Sequence, residues 1–386
     1  MDCQKHLFSL SDDHHYLNCS FLSPLLQRVE EAGVQGIKGK NRPWETTPDH
    51  FFEDSNILRS LFAKLVNAPS AKDIAVMPAV SYGLATVAKN IDPNKGSSIV
   101  IAGEQFPSNV YAWKRFCKNN YCQLKIVDPP EGFENRGEKW NERILDAIDS
   151  NTLLVALGNV HWTDGTLYDL KSIGTKTQKN DAYFVIDGTQ SVGAMPIDVQ
   201  EIKADALICA GYKWLMGPYA ITLGYFGPKL QNGIPLEEGW IVRKNSEDFS
   251  GLVDYEDDYQ PGAQRFDMGE RSNFILVPMM IEALNQILDW EPQHIQTYCK
   301  QLTADLENDL PEYGYQIEDP EWRARHMFGI RLPKSVSLEK LQHKLDEHNI
   351  HVSVRGSAVR ISPNVYNDEQ DIAMLYNVLK DVTSDT

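Results

Sequence analysis

The sequence predicts an α/β fold: a large unit built on a mainly parallel mixed sheet, followed by a smaller α+β unit at the C-terminal end. Three observations carry this. Short apolar runs alternate with helix-patterned stretches through the first two thirds of the chain, as βα repeats require. Several of those runs end abruptly in a polar residue, where open α/β sheets gather their ligand contacts. The pattern then changes, from about His294 on, to helix, strand, helix, a strand pair and a last helix.

The elements follow in order. Ser98 to Ala102, Gln123 to Val127, Thr152 to Leu157, Tyr183 to Ile186 and Ala206 to Cys209 are short, rich in Val, Ile and Leu, and read as successive strands. Ile221 to Phe226 comes too soon after the last of these for a helical crossover, so it is expected to pair with it directly. Ser108 to Lys118 and Trp140 to Ile148 carry helical spacing between strands. Asp254 to Gly262 is acidic and turn-rich and reads as an exposed loop, while Phe274 to Trp290 reads as a long helix apolar on most faces, suited to burial between units. Met327 to Leu332, Leu338 to His348, His351 to Val354 with Ala358 to Ile361, and Asp368 to Val382 complete the smaller unit. The division expected is 18–270 for the large unit, and 1–17 with 271–386 for the small one.

The chain has 386 residues, too many for one small core. Hydrophobic residues make up 42% and charged residues 24%, ordinary for a globular protein, so neither disorder nor a membrane span is expected. A net charge of −17 argues against nucleic acid and anionic membranes as partners. Any site for an anion must then be built from local arginines. The six cysteines show neither a paired CxxC nor regular spacing, which fits reduced thiols and no metal site. The opening residues lack a basic region followed by an apolar run, so no signal peptide is expected and the cytoplasm is the expected compartment.

Chemistry concentrates around Lys213, in Ala210-Gly211-Tyr212-Lys213-Trp214 at the end of a buried strand. Burial disfavours a charged amine, and a lysine with a lowered pKa is suited to form a Schiff base with an aldehyde. A second strand upstream ends in Asp187, which would either hold a pyridine nitrogen protonated or cap the turn after it. Gln190 is a short turn further on. Val80 and Ser81 open a helix after Met77-Pro78-Ala79, where free N–H groups either bind phosphate or are simply capped. Phe106 follows another strand and is either a stacking ring or core. Arg360, alternating with apolar residues in Val359-Arg360-Ile361 and with Arg355 nearby, is a bidentate partner for a carboxylate or half of an ion pair.

With these residues in view, nearly the whole chain resembles the class V aminotransferase family of fold-type I pyridoxal-phosphate enzymes, which includes cysteine desulfurases, kynureninases and isopenicillin N epimerase-like proteins. The segments that carry the resemblance are Asp187-Gly188-Thr189-Gln190-Ser191, Gly211-Tyr212-Lys213-Trp214, and Arg360-Ile361-Ser362 followed by Tyr366-Asn367. It implies pyridoxal 5′-phosphate on Lys213, with Lys213 moving the substrate Cα proton. Asp187 would pair with the pyridine nitrogen and Gln190 would touch the phenolic oxygen. Val80, Ser81 and Tyr212 would hold the phosphate, Phe106 would stack on the ring, and Arg360 and Arg355 would bind the substrate. It also implies a homodimer with shared active sites, in which Arg271 and Ser272 would reach the partner's phosphate.

The expected activity is that of an enzyme acting on an amino acid through an external aldimine and Cα deprotonation, an aminotransferase first. C–S lyase, β-elimination or epimerase chemistry is the alternative, and a catalytically inactive binding protein on the same fold is the non-enzyme alternative. Two departures from the desulfurase pattern stand out. Tyr212 occupies the position of a histidine, and Ile350 to Ala358 contains no cysteine and no room for a long loop, so cysteine desulfurase activity is disfavoured. The asparagine that often contacts the phenolic oxygen is replaced by Trp162 or Thr163, with His161 beside them. Asn18, Ser20, Trp44, Arg355 and His351 are candidates for the side-chain pocket.

Overall fold

The computed structural model describes residues 1–93 and 97–384. The N-terminal segment contributes a short strand β1 (His15–Tyr16) and two helices, α1 (Gln27–Gly39) and α2 (Glu53–Leu65). The sheet-forming stretch follows as β2 (Ile74–Met77), α3 (Val80–Lys89), β3 (Ser98–Ala102), α4 (Ser108–Asn120), β4 (Gln123–Val127), α5 (Arg136–Ala147), β5 (Thr152–Gly158), α6 (Leu170–Lys179), β6 (Tyr183–Asp187), β7 (Ala206–Ala210) and β8 (Thr222–Phe226). The C-terminal stretch is α7 (Leu276–Trp290), α8 (Pro292–Asp309), β9 (Gln316–Ile317), β10 (Phe328–Arg331), α9 (Leu338–Glu347), β11 (Ile350–His351), β12 (Ser353–Arg355), β13 (Ala358–Ile361) and α10 (Glu369–Ser384).

Strands β2 to β8 form a seven-stranded sheet in the order β2-β8-β7-β6-β5-β3-β4. β8 runs antiparallel to both of its neighbours, and the remaining pairs are parallel. β2 therefore points the same way as β7, although the reversed strand separates them. The C-terminal ends of β2, β3, β5, β6 and β7 consequently lie along one edge. Register fixes this edge closely: Met77 pairs with Thr222, Thr222 with Ala210, and Asp187 with both Ile208 and Gly158.

The central strands are continuously apolar because both faces are covered. Their residues alternate between two cores. Val76, Val100, Val155, Leu157, Phe184, Ile186, Leu207 and Cys209 enter the core shared with α2 and α7. Ala75, Ile99, Ile101, Leu154, Ala156, Val185, Ala206 and Ile208 enter the opposite one. α7 packs against α1 and α2. Its Met280, Ala283, Leu284 and Ile287 lie in the core of the large sheet, so this stretch after residue 270 contributes to that core.

A four-stranded antiparallel sheet, β12-β13-β10-β9, has its own core, in which Phe328, Ile330, Val359 and Ile361 meet Leu341, Leu345, Leu375 and Leu379. β1 pairs in parallel with β11, and Cys19 N donates to Ser362 O over 3.1 Å. These bonds lay the N-terminal segment across the end of β13, beside the edge of the large sheet. The expected strands of the large sheet lie within a residue of β3 to β8, whereas His351 to Val354 divides into β11 and β12, and β1, β2 and β9 were not foreseen. α5 begins earlier, at Arg136, because that side chain is drawn into a buried ion network.

Candidate active site

The shared edge holds a cavity of ≈ 250 Å³. Its lining comes from five strand ends: Val80 and Ser81 after β2, Gln105, Phe106 and Asn109 after β3, His161 and Trp162 after β5, Asp187, Thr189 and Gln190 after β6, and Tyr212 and Lys213 after β7. Residues more than a hundred positions apart are brought together because each follows a parallel strand by a few residues.

Lys213 is held by a tight turn, in which Gly217 N donates to Gly211 O over 2.9 Å and Met216 N to Lys213 O over 3.0 Å. Gly217 packs closely on α7, since an added Cβ would meet Met280 Sδ at 2.2 Å and the methionine would have to shift. The lysine is buried, and its Nζ lies 5.8 Å from the ring centroids of both Phe106 and Tyr212. Burial, then the charge of Arg360, lowers its pKa to about 8; Asp187 opposes the shift and Arg355 adds to it. The amine is therefore readily available in its neutral, nucleophilic form.

Asp187 ends β6. Its Oδ1 accepts from Thr189 N over 2.9 Å, the capping bond that sequence reasoning set against a cofactor role. Its Oδ2 accepts from Asn109 Nδ2 over 2.8 Å. A carboxylate has lone pairs for about four bonds, so the cap leaves room for a further donor. The Asn109 contact was not foreseen; the nearest signal was its place one turn past Phe106, at the start of a helix. Gln190 lines the cavity, but its Nε2 donates to Ser20 O over 3.2 Å and its Oε1 accepts from Trp214 Nε1 over 2.9 Å. Its side chain thus braces the N-terminal segment against the lysine turn, with one N–H left over. Burial, then Tyr219, pushes the Tyr212 phenol up to about 12, so it is a neutral hydrogen-bond donor. The two rings lie 4.4 Å apart.

The first turn of α3 leaves backbone amides without intrahelical partners. Its N-cap residue is Ala79, which has no side-chain acceptor to offer. Val80 and Ser81 line the cavity together with Tyr219 and Thr222, and free amides at such a helix start suit an anion. Another polar atom lacks a protein partner: Asn109 Oδ1 is buried and unbonded. A reactive amine, an accessible carboxylate, an uncapped helix start and an orphaned acceptor around one cavity are the donor set that pyridoxal phosphate requires, and the residues fit it.

Some expected residues sit elsewhere. Thr163 does not line the cavity; the chain turns inward after Trp162, and Thr163 Oγ1 lies 2.8 Å from His161 Nδ1. The other of the two alternatives, Trp162, faces the site. Its Nε1 donates to Glu104 O over 2.7 Å, and His161 Nε2 lies 3.1 Å from the same oxygen. Arg360 is 1% exposed, behind Trp162, to whose carbonyl its Nη1 donates over 2.6 Å. Burial, then Arg355, lowers its pKa from the usual arginine value. Arg271 is buried with its Nη1 2.6 Å from Asp267 Oδ2, which Arg59 also binds, and Ser272 donates to Phe51 O. Both make these contacts within their own chain. Trp44 is exposed, His351 is stacked on His14, and neither lines the cavity.

Behind the site, Asp164 gathers a buried network. Arg136 Nη2 lies 3.1 Å and Arg331 Nη2 3.0 Å from its Oδ2, and His161 Nδ1 lies 3.3 Å from its Oδ1. Glu318 closes the circuit 3.0 Å from Arg136 Nη1. Burial alone would raise the Asp164 pKa, but the hydrogen bond and charge of His161, with the two arginines, hold it well below the usual carboxylate range. The network fixes the His161–Trp162 segment and joins the large sheet to β10.

The profile of a family described as Aminotransferase class-V matches residues 41–375. An uncharacterized aminotransferase of Bacillus subtilis is 25% identical over 376 residues, covering 95% of this chain and 94% of that protein. A probable cysteine desulfurase of Methanothermobacter thermautotrophicus is 28% identical over 349 residues, 84% and 82% of the two chains. Among solved structures, the Escherichia coli cysteine desulfurase CsdA superposes with a TM-score of 0.80 at 18% identity, covering 98% of this chain and 97% of that one. The cystine C–S lyase C-DES, in complex with its product cysteine persulfide, gives 0.82 at 17% identity, with 96% and 98% covered. At such identities the structural likenesses speak for the fold.

Proposed function

Because this chain belongs to the class-V aminotransferase family of fold-type I enzymes, with pyridoxal 5′-phosphate as its cofactor, we propose that it acts on an α-amino acid and that its reaction is transamination. The bound cofactor supplies an aldehyde that condenses with amines and a ring that draws electrons away from Cα. Lys213 would hold the cofactor aldehyde through its Nζ, and the same amine, once released by the substrate, would carry the Cα proton. A pKa near 8 suits that exchange, since a proton carrier works best near the operating pH.

Asp187, steadied by Asn109 and Thr189, would keep a proton on the ring nitrogen. The α3 N-terminus, with Ser81 and Tyr212, would bind the phosphate. Phe106 would cover a ring face, and Arg360 would receive the substrate α-carboxylate. Trp162 orients Arg360 and closes that wall against water.

The observation that sets sulfur transfer to the protein aside, and so favours transamination over desulfuration, is the make-up of the cavity wall. Among the described residues, no cysteine lines it. Cys19 and Cys209, which lie nearest Lys213, are fully buried, and burial raises both thiols. The β12–β13 connection is only Gly356-Ser357, between the paired Arg355 and Ala358. A thiol that must visit the substrate sulfur has no place to come from, so sulfur transfer to the protein is disfavoured. The test is a single-turnover reaction with a panel of amino acids. Stoichiometric keto acid without released thiol supports transamination; pyruvate with released thiol or persulfide means elimination and overturns it.

We propose further that the enzyme is a cytoplasmic homodimer. The exposed aromatic cluster of Trp240, Phe249 and Phe274 around Phe51 is the candidate contact. Light scattering of the purified protein tests the dimer, and a monomeric mass contradicts it.

A further inference from the structure

The β12–β13 hairpin carries two guanidinium groups on one face. Ser353 lies opposite Arg360, and Arg355 opposite Ala358. Directly opposed residues share a face and so do alternate residues, which makes Arg355 and Arg360 diagonal neighbours, roughly 7–8 Å apart at the backbone. Trp162 bridges them: its carbonyl binds Arg360, and its ring centroid lies 5.9 Å from the Arg355 guanidinium carbon. Phe21 approaches Arg355 from another side, at 6.0 Å.

Neither arginine has a carboxylate partner among the described residues. Arg355 donates to its neighbour's carbonyl, Val354 O, over 2.8 Å, and Arg360 Nε is buried and unbonded. Both charges also bear on Lys213, which they make less willing to hold a proton. In a chain with 54 acidic residues against 37 basic ones, two adjacent cations without carboxylate partners, both touching the cavity-lining Trp162 and both felt by Lys213, mark a place suited to negative charge. One α-carboxylate answers the inner arginine and leaves the outer one, half-buried and stacked, without a counter-ion.

Resting on the transamination reading, we propose that the substrate is an α-amino acid whose side chain ends in an anion, a carboxylate or a phosphonate-like group, and that Arg355 recognises this group while Arg360 takes the α-carboxylate. The stacked guanidinium is pre-oriented by Trp162 and Phe21, so little side-chain freedom is lost when it binds a planar or tetrahedral anion. A neutral side chain would leave Arg355 desolvated and unpaired.

The test uses the holoenzyme, with its bound cofactor first verified by absorbance, titrated by calorimetry with butyrate, glutarate and 3-phosphonopropionate. The expected result is that at least one dianion binds about tenfold or more tightly than butyrate, the gain typical of a charge-assisted hydrogen bond; which dianion wins identifies the side-chain group. Arg355→Gln abolishes the preference and Arg355→Lys keeps part of it, with circular dichroism verifying that both variants fold. Equal binding of all three ligands by an enzyme that holds its cofactor overturns the proposal and leaves the function standing. A preference that survives in Arg355→Gln overturns it too. A protein that takes up no cofactor overturns the functional reading instead.

Discussion

Asn109 Nδ2 donates to Asp187 Oδ2 across 2.8 Å, tying the first turn of α4 to the end of β6. The bond gives the carboxylate an orientation and a donor that its own turn does not supply. It also makes Asn109, outside the residues that sequence patterns single out, a positioning residue for the group proposed to face the ring nitrogen. Asn109→Leu removes the donor and leaves the volume similar. The expected outcome is roughly tenfold faster loss of cofactor, the scale of one hydrogen bond to a charged group. Cofactor fluorescence retained after dilution measures it, and unchanged retention would deny Asn109 this role.

Lys213 gives the cofactor-free protein a signature in pH. Its folded-state pKa, near 8, lies below the 10.5 of an ordinary lysine, so between these values the unfolded chain binds more protons and stability rises with pH. The buried charge costs stability at pH 7. Lys213→Met therefore stabilises the cofactor-free protein there by up to about 3 kcal/mol, the free-energy equivalent of the lysine's weakened hold on its proton. The advantage shrinks as the pH climbs towards 10.5. Urea unfolding of both proteins at pH 7 and pH 10 reads the difference, and the same advantage at both pH values would show that the amine is not held near 8.

Asp164 makes the opposite prediction. Its folded-state pKa is depressed, so its contribution is fully present above the ordinary value of 3.8 and is lost as the pH falls below it. Asp164→Asn leaves Arg331 without its carboxylate and Arg136 with only Glu318, at a cost of about 3–5 kcal/mol at pH 7. Because the variant lacks this titration, the gap to the natural protein narrows between pH 4 and pH 2. A gap constant across that range would contradict the assignment.

With L-cysteine as the substrate, no persulfide forms on the protein. Mass spectrometry after alkylation is expected to find all six cysteines unmodified by sulfur, and Cys19→Ser to leave turnover within about twofold. A sulfur adduct on any of them would revive the desulfurase reading.

Much of this site was legible because its residues follow apolar strands at short range. A run such as Tyr183 to Ile186 that stops at Asp187 announces both a buried strand and its end, and Ala206 to Ala210 does the same for Lys213. Contacts set by distant packing were not legible. Arg271 reads in sequence as reaching towards a partner's phosphate, yet it shares Asp267 with Arg59, and the Arg59–Asp267 pair spans 208 residues. Thr163 and Trp162 are adjacent, and contacts from distant segments place Trp162 at the cavity, where its Nε1 meets Glu104 O, and Thr163 on His161. Helix α1 went unread because its glycines argue against a helix. Gly36 packs so closely on Phe274 and Ile275, before α7, that a Cβ would lie 2.5 Å from Phe274 O.

The central claim is that Lys213 is the residue that binds the cofactor aldehyde. Borohydride reduction of the holoenzyme, followed by peptide mass mapping, tests it directly. The expected result is a reduced pyridoxyl-phosphate adduct on the peptide containing Lys213, and none on Lys213→Ala protein incubated with the same cofactor. An adduct on a different lysine, or none on the natural protein despite bound cofactor, would contradict it.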